Sequence, residues 1–253
     1  MPKNAIARRV LLRIAPGALF LAAWWIAVRK NENLIFYLST PQNVASFLSS
    51  SISSENFWSN YLSTMYATLI SFVIGSFTGI AAGIAVPLMP RLDEAIEPYA
   101  AFLNSLPRIA LAPVFIAFLG LGLLSKVAVG FSLVFFILFY NCRAGVKSVD
   151  DDLRMLAHAL DFSSTQLFFK LLIPTAWPAM FSGLRLGFTY ALLGVVSSEI
   201  VASRAGLGQL IMFYSAQFDM GAVYGVLIWM GITSGGIYWL TGRLEKRLLA
   251  WKV

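Results

Sequence analysis

The chain has 253 residues, 58% hydrophobic and 12% charged, against about 45–50% and about 25% in a soluble domain, which excludes an ordinary soluble fold. Its net charge of +7 comes from Lys and Arg at the ends of apolar runs, not from one continuous basic face, so nucleic acid is excluded as a partner. A single cysteine, Cys142, and a single histidine, His158, exclude an intrachain disulfide and any cysteine or multi-histidine metal site.

A bilayer core about 30 Å thick is crossed by about 20 apolar residues in a helix. Runs near that length fall at 10–28, 65–86, 109–124, 127–142, 184–201 and 222–240. The pattern predicts an all-α polytopic membrane protein of six spans, organised as one membrane domain over 1–253 with no room for a second soluble domain. The first run follows Lys3, Arg8 and Arg9. It is longer than the apolar region of a signal peptide and lacks a small-residue cleavage pattern after it, so it is read as a retained helix.

The connection over 29–61 contains Thr40–Pro41, which predicts a short helix around 43–48 with the proline in its first turn. Ser71, Gly75, Gly79 and Gly83 put a small residue every fourth position on one face of the second span, where a neighbouring helix can approach closely. The third and fourth runs are short and separated by Ser125–Lys126, which predicts a tight helical hairpin turning there. Cys142, near the end of the fourth run, reads as a small packed residue.

The segment from Asp150 to Pro178, DDDLRMLAHALDFSSTQLFFKLLIPTAWP, is polar yet organised. Leu153, Leu156, Ala157 and Leu160 predict a short helix with one apolar face. Asp161–Phe162–Ser163 breaks it, and Ser163 with Gln166 forms a capping-box pattern opening a second helix. That helix carries Leu167, Phe168, Leu171 and Leu172, and Pro174 is expected to end or kink it. Three consecutive acids and few cations argue against an amphipathic hairpin lying on lipid, and a protein partner accounts for the segment better. Between Ala202 and Met220, Leu207, Leu210, Ile211 and Tyr214 predict a helix too short to span. Gly225, Gly231, Gly235 and Gly236 mark another small-residue face in the last span. Trp24, Trp25, Trp177, Trp239 and Trp251 read as membrane-boundary anchors.

Orientation follows from charge. With the N-terminus inside, Lys3, Arg8, Arg9, Arg13, Arg91, Arg143, Lys147, Arg154, Lys170, Arg185, Arg243, Lys246, Arg247 and Lys252 face the cytoplasm. Arg29, Lys30, Lys126 and Arg204 face out. That asymmetry predicts an N-in, C-in topology. Ionisable or polar groups within spans are costly and are candidates for a transport pathway. Here they are Glu199 with Ser197 and Ser198, and Asn104 and Arg108 flanking Pro107. Glu199 has a structural alternative, bonding to backbone or pairing with Arg204. An Arg facing a cavity suits an anionic solute, because guanidinium binds an oxyanion bidentately. Arg185 reads as an interfacial anchor.

Several motifs together resemble the permease subunit of a binding-protein-dependent ABC importer of the nitrate/sulfonate/taurine type. They are LSTPQNV (38–44), SLPRIALAPVFIAFLGLGLLSK (105–126), VKSVDDDL (146–153), LLIPTAWP (171–178), GLRLG (183–187), SSEIV (197–201) and GLGQLI (206–211). The resemblance implies a type I ABC importer permease fold in the bacterial cytoplasmic (inner) membrane. It implies a cytoplasmic coupling loop over about 143–182, made of Met155, Leu156, Ala157, His158, Leu160, Asp161, Phe162, Ser163, Gln166 and Pro174. This loop occupies the place of the family's Glu-Ala-Ala motif, whose Glu position is Met155, Ala positions Leu156 and Ala157, and Gly position Asp161. Three of those four depart, while the Leu-Ile-Pro exit is retained. An Asp tolerates the left-handed backbone that the Gly would adopt.

The resemblance also implies a homodimer, two cytoplasmic ATPase subunits, and an extracytoplasmic binding protein delivering a small solute, with a sulfonate, nitrate, taurine or carboxylate anion favoured. The chain has no Gly-x-x-x-x-Gly-Lys-Ser/Thr loop. It is therefore read as non-catalytic and as binding no cofactor, with ATP and Mg²⁺ on the partner ATPase. The alternative is an ion-gradient-driven secondary transporter or channel, in which an intramembrane relay would have to run through Glu199.

Overall fold

A computed structural model describes residues 3–248, with backbone alone for 3–11, 13, 14, 32 and 248. Trp251 and Lys252 lie outside the described residues. Every regular element is helical: α1 (Lys3–Lys30), α2 (Glu32–Leu38), α3 (Pro41–Ser51), α4 (Glu55–Ala85), α5 (Pro90–Ser105), α6 (Ala112–Leu119), α7 (Leu123–Lys147), α8 (Asp151–Ala159), α9 (Ser164–Leu167), α10 (Ile173–Val201), α11 (Leu207–Ala216) and α12 (Met220–Leu248). A π-helical stretch, Phe168–Leu172, joins α9 to α10, so the helix runs without interruption over Ser164–Val201. Among the described residues, four helices are long and apolar enough to cross a membrane, namely Glu55–Leu88, Leu123–Lys147, Ser164–Val201 and Met220–Arg247. The bent pair Pro90–Ser105 and Arg108–Leu119 makes a fifth if it counts as one span.

The third and fourth spans are corrected. The apolar run over 109–124 is not one helix: a tight turn of helix over Arg108–Leu111 leads into α6, which stops at Leu119, and just ahead of the run α5 meets it at an 81° bend around Leu106–Pro107. Pro107 forces Leu106 into an extended conformation (ψ 135°), and Gly120 ends α6 with φ 78°. The turn of the hairpin therefore lies at Gly120–Gly122, and Ser125–Lys126 sit inside α7. Pro174 likewise does not end its helix. It follows directly on the π-helical stretch Phe168–Leu172, where the hydrogen-bond register changes and the missing N–H falls within the wider turn.

Clustering by contact separates two compact units. One comprises residues up to Ser59 with Leu210–Gly231; the other comprises Asn60–Gln209 and the chain from Ile232 on. In the first, Thr40 caps α3 by accepting from the Asn43 N–H (3.2 Å), and Pro41 occupies its first turn. Aromatic rings then carry the packing: Phe47 against Tyr214 and Phe57, Trp24 against Tyr224, and Trp58 against Trp229. Gly225 gives Phe47 its space, whereas Gly231, Gly235 and Gly236 meet nothing within 4 Å.

In the second unit α7 is central. Gly75, Gly79 and Gly83 of α4 lie against Val134, Phe135 and Phe139 of α7, and Gly130 of α7 abuts Ser71. A Cβ at Gly79 would stand 2.6 Å from the Phe135 carbonyl oxygen, so the expected seam is a backbone-close helix contact. Gly145 and Gly194 do the same between α7 and α10, meeting Ala176 and Gly130. Cys142 is fully buried with Ile84, Val146 and Ala176.

Candidate functional site

The corner between α8 and α9 forms from local sequence. The Asp150 side chain accepts from the Asp152 N–H (3.0 Å) and starts α8. Leu160 leaves the helix, and Asp161 adopts φ 49°, so the Asp at the Gly position does take the left-handed turn. Ser163 accepts from the Gln166 N–H (3.3 Å) while the Gln166 carbonyl oxygen accepts from the Ser163 N–H (3.0 Å), which completes the capping box. The Lys170 ammonium lies over the Phe162 ring.

The apolar residues of the corner divide into two sets. Ala157 and Leu172 are buried, and Phe168 packs on the Cys142 cluster. Leu153, Met155, Leu156 and Leu160 instead point outward, 44–62% exposed, with His158 exposed beside them. Met155, at the family's Glu position, therefore adds apolar surface where a charge would be.

A second site gathers around the α5–α6 bend. Arg108 donates through Nη2 to the Asn104 carbonyl oxygen (3.1 Å) and to the Asn104 side chain, and its guanidinium lies 4.3 Å from the centre of the Phe136 ring. Asn104, Arg108, Phe136, Tyr140, Asn141 and Tyr190 line a cavity of about 260 Å³. Arg108 has no carboxylate partner among the described residues. At membrane depth a cation without a counter-charge is costly.

Glu199 does not join that cavity. Its carboxylate is 1% exposed and accepts from Lys126 Nζ (2.9 Å), Thr64 Oγ1 (2.9 and 3.0 Å) and the Gly208 N–H (2.9 Å). Its ion-pair partner is Lys126; no pair with Arg204 occurs among the described residues. Lys126 also donates to the Ala205 carbonyl (2.6 Å), Leu207 N–H to Thr64 Oγ1 (2.7 Å), and Gly206 N–H to Asn60 Oδ1 (2.7 Å). Gly206 has φ 125°, and a Cβ there would collide with the Glu199 carboxylate. SSEIV and GLGQLI are thus two halves of one buried knot. Ser198 is buried with its hydroxyl unpartnered, and half-buried Ser197 donates to the Leu193 carbonyl (2.7 Å).

Sequence reasoning missed a further cluster. Asp93 of α5 is 5% exposed and accepts from Arg143 Nε (2.6 Å) and Nη2 (3.0 Å), with Lys147 Nζ at 2.5 Å. Arg143 also pairs with Glu97. From sequence alone Arg143 and Lys147 count only as charges that set orientation. The acidic residues Asp93 and Glu97, one helical turn apart on α5, were the available signal that these cations had partners.

A multi-span helical membrane subunit with an outward apolar corner and a buried ion-pair knot matches one family model: binding-protein-dependent transport system inner membrane component, over residues 71–249. The chain belongs to that family. It is 32% identical over 234 residues to the riboflavin transport system permease protein RibX of Chloroflexus aurantiacus, covering 92% of this chain and 87% of that one. It is 26% identical over 211 residues to the taurine transport system permease protein TauC of Escherichia coli, covering 81% and 77%. The formylaminopyrimidine transport permease protein ThiX of Halalkalibacterium halodurans is 30% identical over 162 residues, covering 64% and 65%.

Among solved structures, a chain of the MetNI methionine ABC transporter in an inward-facing conformation superposes with a TM-score of 0.62 at 17% identity, over 72% of this chain and 93% of that one. An amino acid ABC transporter gives 0.64 at 17%, over 79% and 98%. The chain is an ABC-importer permease, a multi-pass inner-membrane protein.

Proposed function

We propose that two copies of this chain form the translocation pathway of an ATP-driven importer, and that the corner formed by α8 and the Ser163 cap docks a separate cytoplasmic ATPase. The chain crosses six times in this reading, with the bent α5–α6 pair as the third crossing and both termini inside. The observation that carries the proposal is the outward set Leu153, Met155, Leu156 and Leu160 on a corner whose backbone is fixed by two caps. Apolar side chains held rigidly outward, in a segment too acidic for lipid, suit a groove in a protein partner.

The helix that leads from the corner is long enough to transmit motion. Its 38 residues span about 57 Å at about 1.5 Å each, well beyond a hydrocarbon core of about 30 Å. The corner therefore stands clear of the membrane, while the far end of the same helix carries Glu199. The Asp93–Arg143–Lys147 cluster ties α5 to the end of α7, just before α8, so displacement of the corner would pull on α5, whose Asn104 holds Arg108 across the bend. ATP and Mg²⁺ belong to the ATPase, whose closure would open the paired permeases outward to receive solute from a binding protein. The direct test is co-purification: the chain extracted from its membrane should bring a nucleotide-hydrolysing subunit with it.

For the solute, the proposal is a small anion such as a sulfonate, nitrate, taurine or a carboxylate. Arg108, unpaired and stacked on Phe136 beside Asn104 and Asn141, supports it, because an oxyanion would supply the missing counter-charge. The substitution Arg108→Gln should raise the KM for uptake at least tenfold and leave the yield of folded protein unchanged. Uptake with an unaltered KM would remove Arg108 from the pathway.

A further inference from the structure

Beyond the transport pathway, a basic concavity lies where the last helix approaches the start of the apolar part of α10. Arg185, Tyr238, Trp239, Gly242, Arg243 and Lys246 line a cavity of about 290 Å³. Arg185 is paired with Glu245 and lies over the Tyr238 ring, with 5.2 Å to its centre. Arg243 lies over the Trp239 ring at 3.7 Å. Neither Arg243 nor Lys246 has an acidic partner among the described residues. Three cations against one carboxylate leave the cavity net positive. Gly242 keeps it open: a Cβ there would stand 3.3 Å from Arg185 Nη2.

Depth identifies what such a cavity meets. Arg185 precedes Glu199 by fourteen positions on one helix, about 21 Å along its axis. That is most of a hydrocarbon core of about 30 Å, so the two sit near opposite boundaries. Trp and Tyr favour the headgroup level of a bilayer, and Trp239 and Tyr238 are 56% and 45% exposed. Simple snorkelling would let each cation reach water separately. Here two guanidinium groups are held over aromatic faces at the wall of one cavity, and Glu245, the one carboxylate paired there among the described residues, is taken up by Arg185.

We propose that this cavity binds the phosphodiester of an anionic phospholipid. Arg243 would engage the phosphate oxygens with its guanidinium fork, Lys246 would add a point charge, and Trp239 would seat the glycerol level. Free phosphate shares the same chemistry, so the test includes both. The full chain is purified in detergent, and binding of phosphatidylglycerol, phosphatidylcholine and inorganic phosphate is measured by native mass spectrometry and thermal shift. The expected result is at least tenfold tighter retention of phosphatidylglycerol than of phosphatidylcholine. That preference should be lost in R243Q/K246Q and reduced about threefold in the single, surface-exposed variant K246Q, while K246R, which keeps the Arg243 fork and the charge, retains most of it. K246Q keeps the test open if the double variant fails to fold. Equal retention of phosphatidylglycerol by the wild type and K246Q, or stabilisation by inorganic phosphate as strong as by the lipid, would overturn the assignment.

Discussion

Replacing Glu199 with alanine is expected to destabilise the protein by about 3–5 kcal/mol, the cost of leaving one member of a buried ion pair without its partner. Lys126 Nζ would remain with only the Ala205 carbonyl, at a residue 6% exposed. The Gly208 N–H would lose its acceptor at the same time, and the Thr64 hydroxyl would donate only over the longer contact to the Asn60 carbonyl (3.3 Å). A loss of that size is a large part of the about 5–15 kcal/mol that holds a typical domain together. Yield and thermal midpoint in detergent, followed by tryptophan fluorescence, should both fall sharply. The variant Lys126→Met/Glu199→Leu removes both charges and should recover part of the loss, because a matched apolar pair no longer carries an uncompensated charge. A neutral Glu199→Ala, or a double variant costing the sum of the two singles, would show that the knot is not a coupled pair. A relay role for Glu199 in an ion-driven transporter is a poor match for a carboxylate already committed to four donor contacts.

The second large effect concerns association, not folding. Leu156→Asp with Leu160→Asp places two charges on side chains that are 54% and 60% exposed. Exposed substitutions of this kind usually change stability by no more than about 0.5 kcal/mol. Burying two carboxylates in an apolar groove without partners is far costlier, and a central apolar contact is worth upwards of about 2 kcal/mol at an interface. Capture of the ATPase should therefore fall more than tenfold, and ATP-dependent uptake should cease, at an unchanged thermal midpoint. Capture at wild-type level would move the docking contact elsewhere on the chain.

What could be read from sequence was what is local. The Ser163–Gln166 capping box, Thr40 ahead of Pro41, and the Leu207–Tyr214 periodicity each concern residues a few positions apart, and each forms as the spacing dictates. The small-residue seam of α4 was legible too, although its partner α7 was not. The third span was misread because hydropathy alone runs straight through 109–124. Gly120 ends the helix inside that run, and Pro107 bends the chain just ahead of it, regardless of how apolar their neighbours are. By sequence Lys126 marks the tip of a turn, because a charge between two apolar runs usually does. Its partner Glu199 lies 73 positions away, as Arg143 lies 50 from Asp93. Pairings at that range leave no periodic signal, but each was hinted at by opposite charges standing alone in apolar surroundings. The outward direction of Met155, Leu156 and Leu160 was also invisible, since an apolar face on a short helix predicts burial without saying against what.

The account stands most directly on uptake in proteoliposomes holding this chain, its ATPase and its binding protein. It predicts solute accumulation that requires ATP and the binding protein, and that stops when the ATPase is catalytically inactivated. Accumulation that continues with the inactive ATPase and follows an imposed ion gradient would contradict it.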